Sequence, residues 1–213
     1  VPHTKPLLSI VTGFLMFAMP VAAQEVWITP DTPFVEIDVN NRFFVIERNA
    51  DNEAVISAAF AKTSRPCPPF CVSPMQVAEG VETVGELELL AYLENEVQSG
   101  AGLLVDVRAP EIYAASTIPG SINLPVNLLT VADNNPFLIP ILMQLGGVQL
   151  DGGSWDFTAA KDLALYCDGA WCEQASLAIR NLLTAGYPAE KLYYYRGGMQ
   201  DWLMLGLTVI APE

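Results

Sequence analysis

The stretch LALYCDGAWCEQASLAIRNLLTAG, residues Leu163 to Gly186, decides the fold. Its opening, Leu163 to Cys167, is short and almost wholly apolar, as a strand buried on both faces of a parallel sheet must be. Its second half sets Ala175, Ala178, Ile179 and Leu182 along one helical face and closes with Gly186. A buried strand feeding a helix through a tight loop, Asp168 to Cys172, is the building unit of an α/β sheet. Open sheets of that kind place their binding sites at the carboxyl ends of strands, which is where Cys167 stands. A loop wound onto a helix that starts at Glu173 turns backbone N–H groups inward. Together with the helix dipole these lower a thiol's pKa and hold an anion, which activates a cysteine without histidine.

The same alternation extends outward. Leu103 to Val107 is a second buried strand, Pro110 suits the first turn of a short helix, and Ser121 to Pro125 is a further strand. Asn127 to Leu150 is helical in part, broken by Pro136 and Pro140; Leu192 to Tyr195 is a strand, and Met199 to Leu205 a last helix after Gly197-Gly198. Upstream, Thr83 and Glu86 fit a capping box for a helix carrying Leu90, Leu93 and Val97 and ending at Ser99-Gly100. These elements predict one parallel sheet with crossover helices over residues 81–213. Residues 24–80 read as a small, mostly extended unit. Val35, Ile37 and Val39 alternate with polar residues, Asn40-Asn41 supplies a tight turn, and RFFVIE returns as the partner strand. Asn52 to Ala61 is expected to be a short helix. Pro66, Pro68, Pro69 and Pro74 forbid regular structure around Cys67 and Cys71, giving a stapled linker, with a redox or metal role as the alternative.

At 213 residues, 52% hydrophobic and 16% charged, the chain buries one main core with a small appendage. A net charge of −14 and no Lys/Arg cluster argue against nucleic acid as a partner. Lys5, the run PLLSIVTGFLMFAMP and the small residues Val21-Ala22-Ala23 predict a cleaved export signal over residues 1–23, with an uncleaved anchor as the alternative. The run is too short for a membrane-spanning helix, so no stable membrane insertion follows cleavage. Cleavage removes His3, the sole histidine, and with it any Cys/His pair or histidine metal site. A periplasmic or otherwise exported chain keeps its cysteines in an oxidising compartment. Pairing within RPCPPFC (Cys67, Cys71) and within YCDGAWC (Cys167, Cys172) is simplest, and crossed pairing stays open.

Three motifs in order, LLVDVRAPEIYAASTIPGSINLP (Leu103 to Pro125), LALYCDGAWCEQASLAIRNLLTAGY (Leu163 to Tyr187) and YYYRGGMQDWLMLGLTV (Tyr193 to Val209), make the region from Thr83 to Pro212 resemble a single rhodanese-like domain. They match the family's Asp-x-Arg plus Ile-Pro-Gly segment, its active-site loop and helix, and its Gly-Gly-x-x-x-Trp ending. The resemblance implies an α/β fold, a parallel sheet flanked by helices, and sulfane sulfur carried as a persulfide on Cys167. No cofactor and no metal is expected. The loop Cys167 to Cys172 has the family's six-residue length, so Asp168, Gly169, Ala170, Trp171 and Glu173 are its substrate-binding residues.

Departures from the family pattern shape the chemistry. Where thiosulfate users carry Arg or Lys, this loop ends in Cys172, and Asp168 and Glu173 add negative charge, each opposing a dianionic donor by about 1 kcal/mol when partly screened. Thr117 stands where the family often has His before Ile118, and the loop is too short for the related phosphatases. Cys172 can act as a resolving thiol that displaces sulfur from Cys167 as a disulfide forms. Asp106 and Arg108 are an internal pair or brace near the site, Arg196 is the nearest candidate cation, and Trp171 is a lid over the loop. The expected function is therefore sulfane-sulfur transfer or thiol/disulfide exchange, with a small sulfur compound or a thiol protein as partner. The competing readings are a silent binding module with structural disulfides, and a metal site whose C-x3-C and C-x4-C spacings do not match common zinc patterns.

Overall fold

A computed structural model describes residues 25–132 and 134–212; the expected export signal over residues 1–23 lies outside them. In chain order the elements are β1 (Phe34–Val39), β2 (Arg42–Glu47), β3 (Glu82–Val84), α1 (Glu86–Tyr92), β4 (Gly102–Asp106), α2 (Pro110–Ala115) and β5 (Ser121–Asn123). There follow α3 (Leu138–Gln144), β6 (Val148–Gln149), β7 (Trp155–Asp156), β8 (Asp162–Tyr166), α4 (Gln174–Thr184), β9 (Leu192–Tyr195) and α5 (Gly198–Met204).

The hairpin β1–β2 forms as its alternation predicts: Val35, Ile37 and Ile46 are buried, and Asn40 and Asn41 turn the chain with φ of 54° and 61°. The helix expected over Asn52 to Ala61 does not form. Asn49 and Asp51 accept hydrogen bonds from the N–H groups two residues on, at 2.9 and 3.0 Å, and these local turns compete with helical bonding where no apolar face is buried. Val55, with 91% of its surface exposed, shows the missing face.

Five strands build the main sheet in the order β3-β9-β8-β4-β5, every neighbouring pair parallel. Thr83 lies in β3 and does not cap α1; Gly85 is the cap residue, and Glu88 accepts its N–H at 3.1 Å. The first helix runs on through 93–97 with a wider turn, Gln98 N–H donating to the Leu93 carbonyl at 3.0 Å. Each face of the sheet has its own core. On one, Val105, Leu163, Leu165 and Leu192 meet Ala175, Ala178, Ile179 and Leu182 of α4. On the other, Leu104, Ala164 and Tyr166 meet α1, Trp202 of α5 and the hairpin residues Val35, Ile37 and Ile46. The N-terminal hairpin is thus one wall of the second core. The C-terminal segment ties in two places: Thr208 exchanges bonds with Glu47, and Thr117 and Ile210 bond each other's backbone at 2.8 and 3.0 Å.

Strand order reverses between β4 and β8, since β4 leads outward to β5 while β8 leads the other way to β9. The carboxyl ends of those two strands therefore flank a crevice, and Asp106 and Cys167 stand at its mouth.

Candidate active site

Cys167 directly follows β8, and the loop from Asp168 to Cys172 is closed by the Cys172 N–H donating to the Gly169 carbonyl at 2.9 Å. Cys167 and Cys172 are joined as a disulfide, their Cα atoms 6.3 Å apart. Both are buried, at 3% and 7% exposure. The helix after the loop begins at Gln174, with Glu173 as its cap residue.

The start of α5 holds the loop's other side. Met199 N–H donates to the Cys167 carbonyl at 3.0 Å and Gln200 N–H to the Asp168 carbonyl at 2.9 Å, so two orphan donors of that helix are spent on the loop. Gly198 makes this approach possible. Its φ is +56°, and a Cβ there would strike the Cys167 carbonyl and sit 2.8 Å from the Gly169 nitrogen.

Behind the loop lies a buried polar network. Arg108 donates to Asp106 at 2.6 and 2.9 Å, to the Ser116 carbonyl at 2.6 Å and to Asp168 at 3.3 Å; it is 2% exposed and Asp106 fully buried. Thr117 donates to Asp106 at 2.9 Å and shares a 2.7 Å hydrogen bond with Tyr166. Burial depresses the Arg108 pKa, but its bonds and charge contact with Asp106 more than compensate, and the net shift is upward. Asp168 moves upward too: burial dominates, with Asp106 adding to it, and the attraction of Arg108 and Arg65 recovers only part. Burial, with Asp106 nearby, likewise pushes the Tyr166 phenol up.

The segment around Cys67 and Cys71 lies across this loop as a strap. It has no regular structure, and its own disulfide joins Cα atoms 4.7 Å apart. Ser73 N–H donates to the Ala170 carbonyl at 2.8 Å and Ser73 Oγ to the Cys172 carbonyl at 3.3 Å. The Arg65 guanidinium lies 3.6 Å from the Trp171 ring centre, and Phe70 meets the same ring edge-on at 5.7 Å. Trp171 in turn donates to Gln200 at 2.6 Å, and Gln200 donates to the Phe60 carbonyl at 2.7 Å.

Among the residues expected at the site, Cys167, Cys172, the loop between them, Asp106 and Arg108 come together. Glu173 sits at the helix start, and Arg196 points its donors elsewhere, clasping the Ser73 carbonyl at 3.0 and 2.9 Å. Besides Arg108, Arg65 of the N-terminal unit meets the loop, a contact from far along the chain that no local pattern reveals. Tyr166, Ser73 and Gln200 were likewise invisible to sequence reasoning, because each acts through a partner remote in the chain, and Thr117 was noted only as a departure from the family pattern and not for its bonds to Asp106 and Tyr166. Among the described residues no group of three or more His, Cys, Asp or Glu side chains could hold a metal ion, and no helix is long and apolar enough to cross a membrane.

Comparison with known proteins matches residues 89–205 to the rhodanese-like domain family. A protein of Allochromatium vinosum described as a sulfurtransferase is 31% identical over 131 residues, covering 61% of this chain and 98% of its own. An HTH-type transcriptional regulator of Mycobacterium tuberculosis is also 31% identical, over 119 residues; the match takes in 56% of this chain but only 42% of the regulator's length. Among solved structures, a human single-domain sulfurtransferase is 26% identical, with a TM-score of 0.39 over 58% of this chain and 96% of that one.

Proposed function

This chain belongs to the rhodanese-like domain family, and from that premise we propose that it carries sulfane sulfur as a persulfide on Cys167 and discharges it with the help of Cys172. The observation that carries the reading is the placement of both cysteines, within disulfide distance, in the loop at the carboxyl end of a central strand beside the reversal in strand order.

The reduced form does the loading. The Cys167 thiolate attacks the outer sulfur of a persulfide donor, R–S–SH, forms Cys167–S–SH and expels R–S⁻. The Cys172 thiolate then attacks the Cys167 sulfur; the Cys167–sulfur bond to the cargo breaks, hydrosulfide leaves, and the Cys167–Cys172 disulfide remains. Two electrons from a thiol partner return the dithiol. Alternatively the partner's thiolate takes the outer sulfur directly and leaves Cys167 reduced. Arg108 and the α5 N–H groups hold the loop in place through this cycle. Asp168 and Glu173 leave the loop poorly suited to a dianion, so a neutral or singly charged persulfide fits better than thiosulfate. A small sulfur compound or a thiol protein is the partner, and the net charge of −14 speaks against nucleic acid. Two disulfides in one chain suit the exported, oxidising location expected from residues 1–23.

The test loads fully reduced protein with a low-molecular-weight persulfide, alkylates it and weighs the Cys167 peptide. One added sulfur is expected, lost in Cys167→Ser with circular dichroism unchanged and longer-lived in Cys172→Ser. Loading that survives Cys167→Ser sinks the proposal. The burial of both cysteines beneath the strap favours a second reading, a silent scaffold that binds a partner; reduced wild-type protein that takes no sulfur from any persulfide donor would support it.

A further inference from the structure

The two disulfides sit in segments that touch, and solvent reaches one of them far more than the other. Cys67 is exposed and Cys71 half-buried, whereas Cys167 and Cys172 are 3% and 7% exposed. Cys71 is bracketed by two residues that touch the loop: Phe70 packs on Trp171, and the Ser73 hydroxyl reaches the Cys172 carbonyl at 3.3 Å. Two residues of chain span at most about 7 Å, so these contacts bring Cys71 to the side of the loop that carries Trp171 and Cys172.

We propose that Cys67–Cys71 is a second redox-active disulfide, the point at which an outside dithiol protein delivers electrons to the buried Cys167–Cys172 pair. The inference rests on the reading that Cys167–Cys172 cycles between disulfide and dithiol. One thiolate of the partner attacks the exposed Cys67 sulfur, breaking Cys67–Cys71 and releasing the Cys71 thiolate. That thiolate attacks Cys172, breaking Cys167–Cys172, forming Cys71–Cys172 and freeing Cys167 as the sulfur-accepting thiolate. The partner's second thiol resolves its mixed disulfide with Cys67 and departs as an intramolecular disulfide. The Cys67 thiolate then attacks Cys71, restores Cys67–Cys71 and releases Cys172. The partner loses two electrons and two protons, and both appear on Cys167 and Cys172.

The test uses the full chain and reduced thioredoxin as the dithiol probe, following the rate at which Cys167 becomes open to alkylation. In Cys67→Ser/Cys71→Ser, with circular dichroism matching the wild type, that rate should fall at least tenfold. An unchanged rate overturns the relay, and a faster one shows the strap to be a cover only. A second variant guards against misfolding effects: Cys67→Ser/Cys167→Ser leaves Cys71 and Cys172, which should appear as one linked peptide after mild oxidation. Two free thiols under those conditions also overturn it. Persulfide loading of chemically reduced wild-type and Cys67→Ser/Cys71→Ser protein bypasses the relay. Failure there counts against the sulfur-carrier reading alone, while the thioredoxin rates still decide the relay.

Discussion

Asp106 and Arg108 face each other away from solvent, and removing Asp106 leaves the buried Arg108 guanidinium with only the longer contact to Asp168 to balance its charge. Asp106→Ala should cost about 3–5 kcal/mol, the penalty of breaking a buried pair on one side, read from the shift in urea midpoint. Asp168 gives a pH signature of the opposite kind. Its folded pKa is raised above the ordinary 3.8, so its contribution to stability is fully present below that value and is lost as pH climbs through the raised one. Asp168→Asn should therefore match wild-type melting near pH 3 and melt higher at pH 7; a variant that melts lower at pH 7 would contradict this. At this scale the sequence is legible where chemistry is local. Cys167, Cys172 and the Asp106-x-Arg108 pair announce themselves by spacing, whereas the contact of Arg65 with Trp171 depends on how a proline-rich strap returns to the loop, and Arg196 is drawn off to a carbonyl of that strap.

At the scale of elements, the start of α5 governs the loop. Gly198→Ala imposes a left-handed φ on a residue with a side chain, at least about 1 kcal/mol from the backbone alone, and drives a methyl into the Cys167 carbonyl. It should lower the melting temperature and diminish persulfide loading at Cys167, whereas Gly152→Ala, equally left-handed but in open space, should leave loading intact. Strands long enough to show an apolar run were legible: β4, β8 and β9 stand where expected to within a residue or two. The strand β3 and the ribbon β6–β7 were not: Thr83 of β3 reads as a helix cap and its strand pairs only with the remote β9, while two residues carry no period in β6 or β7. The Asn52 to Ala61 segment failed for the reverse reason, because helical propensity without a buried face loses to side-chain turns.

In the whole molecule the N-terminal hairpin and the sheet share one core, so they should unfold together. Ile37→Ala, at a position with no exposed surface, should cost about 2–5 kcal/mol and leave a single cooperative transition by both far-UV and near-UV circular dichroism. Two separate transitions would show the hairpin to be an independent unit. Alternation in residues 35–39 reveals that the hairpin has an inner face, but what covers that face is a property of the closed chain. The closure itself has a biosynthetic consequence. Because Glu47 bonds Thr208, 161 residues later, and β3 pairs with β9, the earliest elements leave the ribosome long before their partners exist. At about 5–20 residues per second the hairpin waits roughly 10–30 s with its apolar face bare. The hairpin therefore depends on holding chaperones while the rest of the chain is made, and Cys67–Cys71, closing a loop only four residues in span, needs no finished sheet and can form as soon as that segment reaches an oxidising compartment.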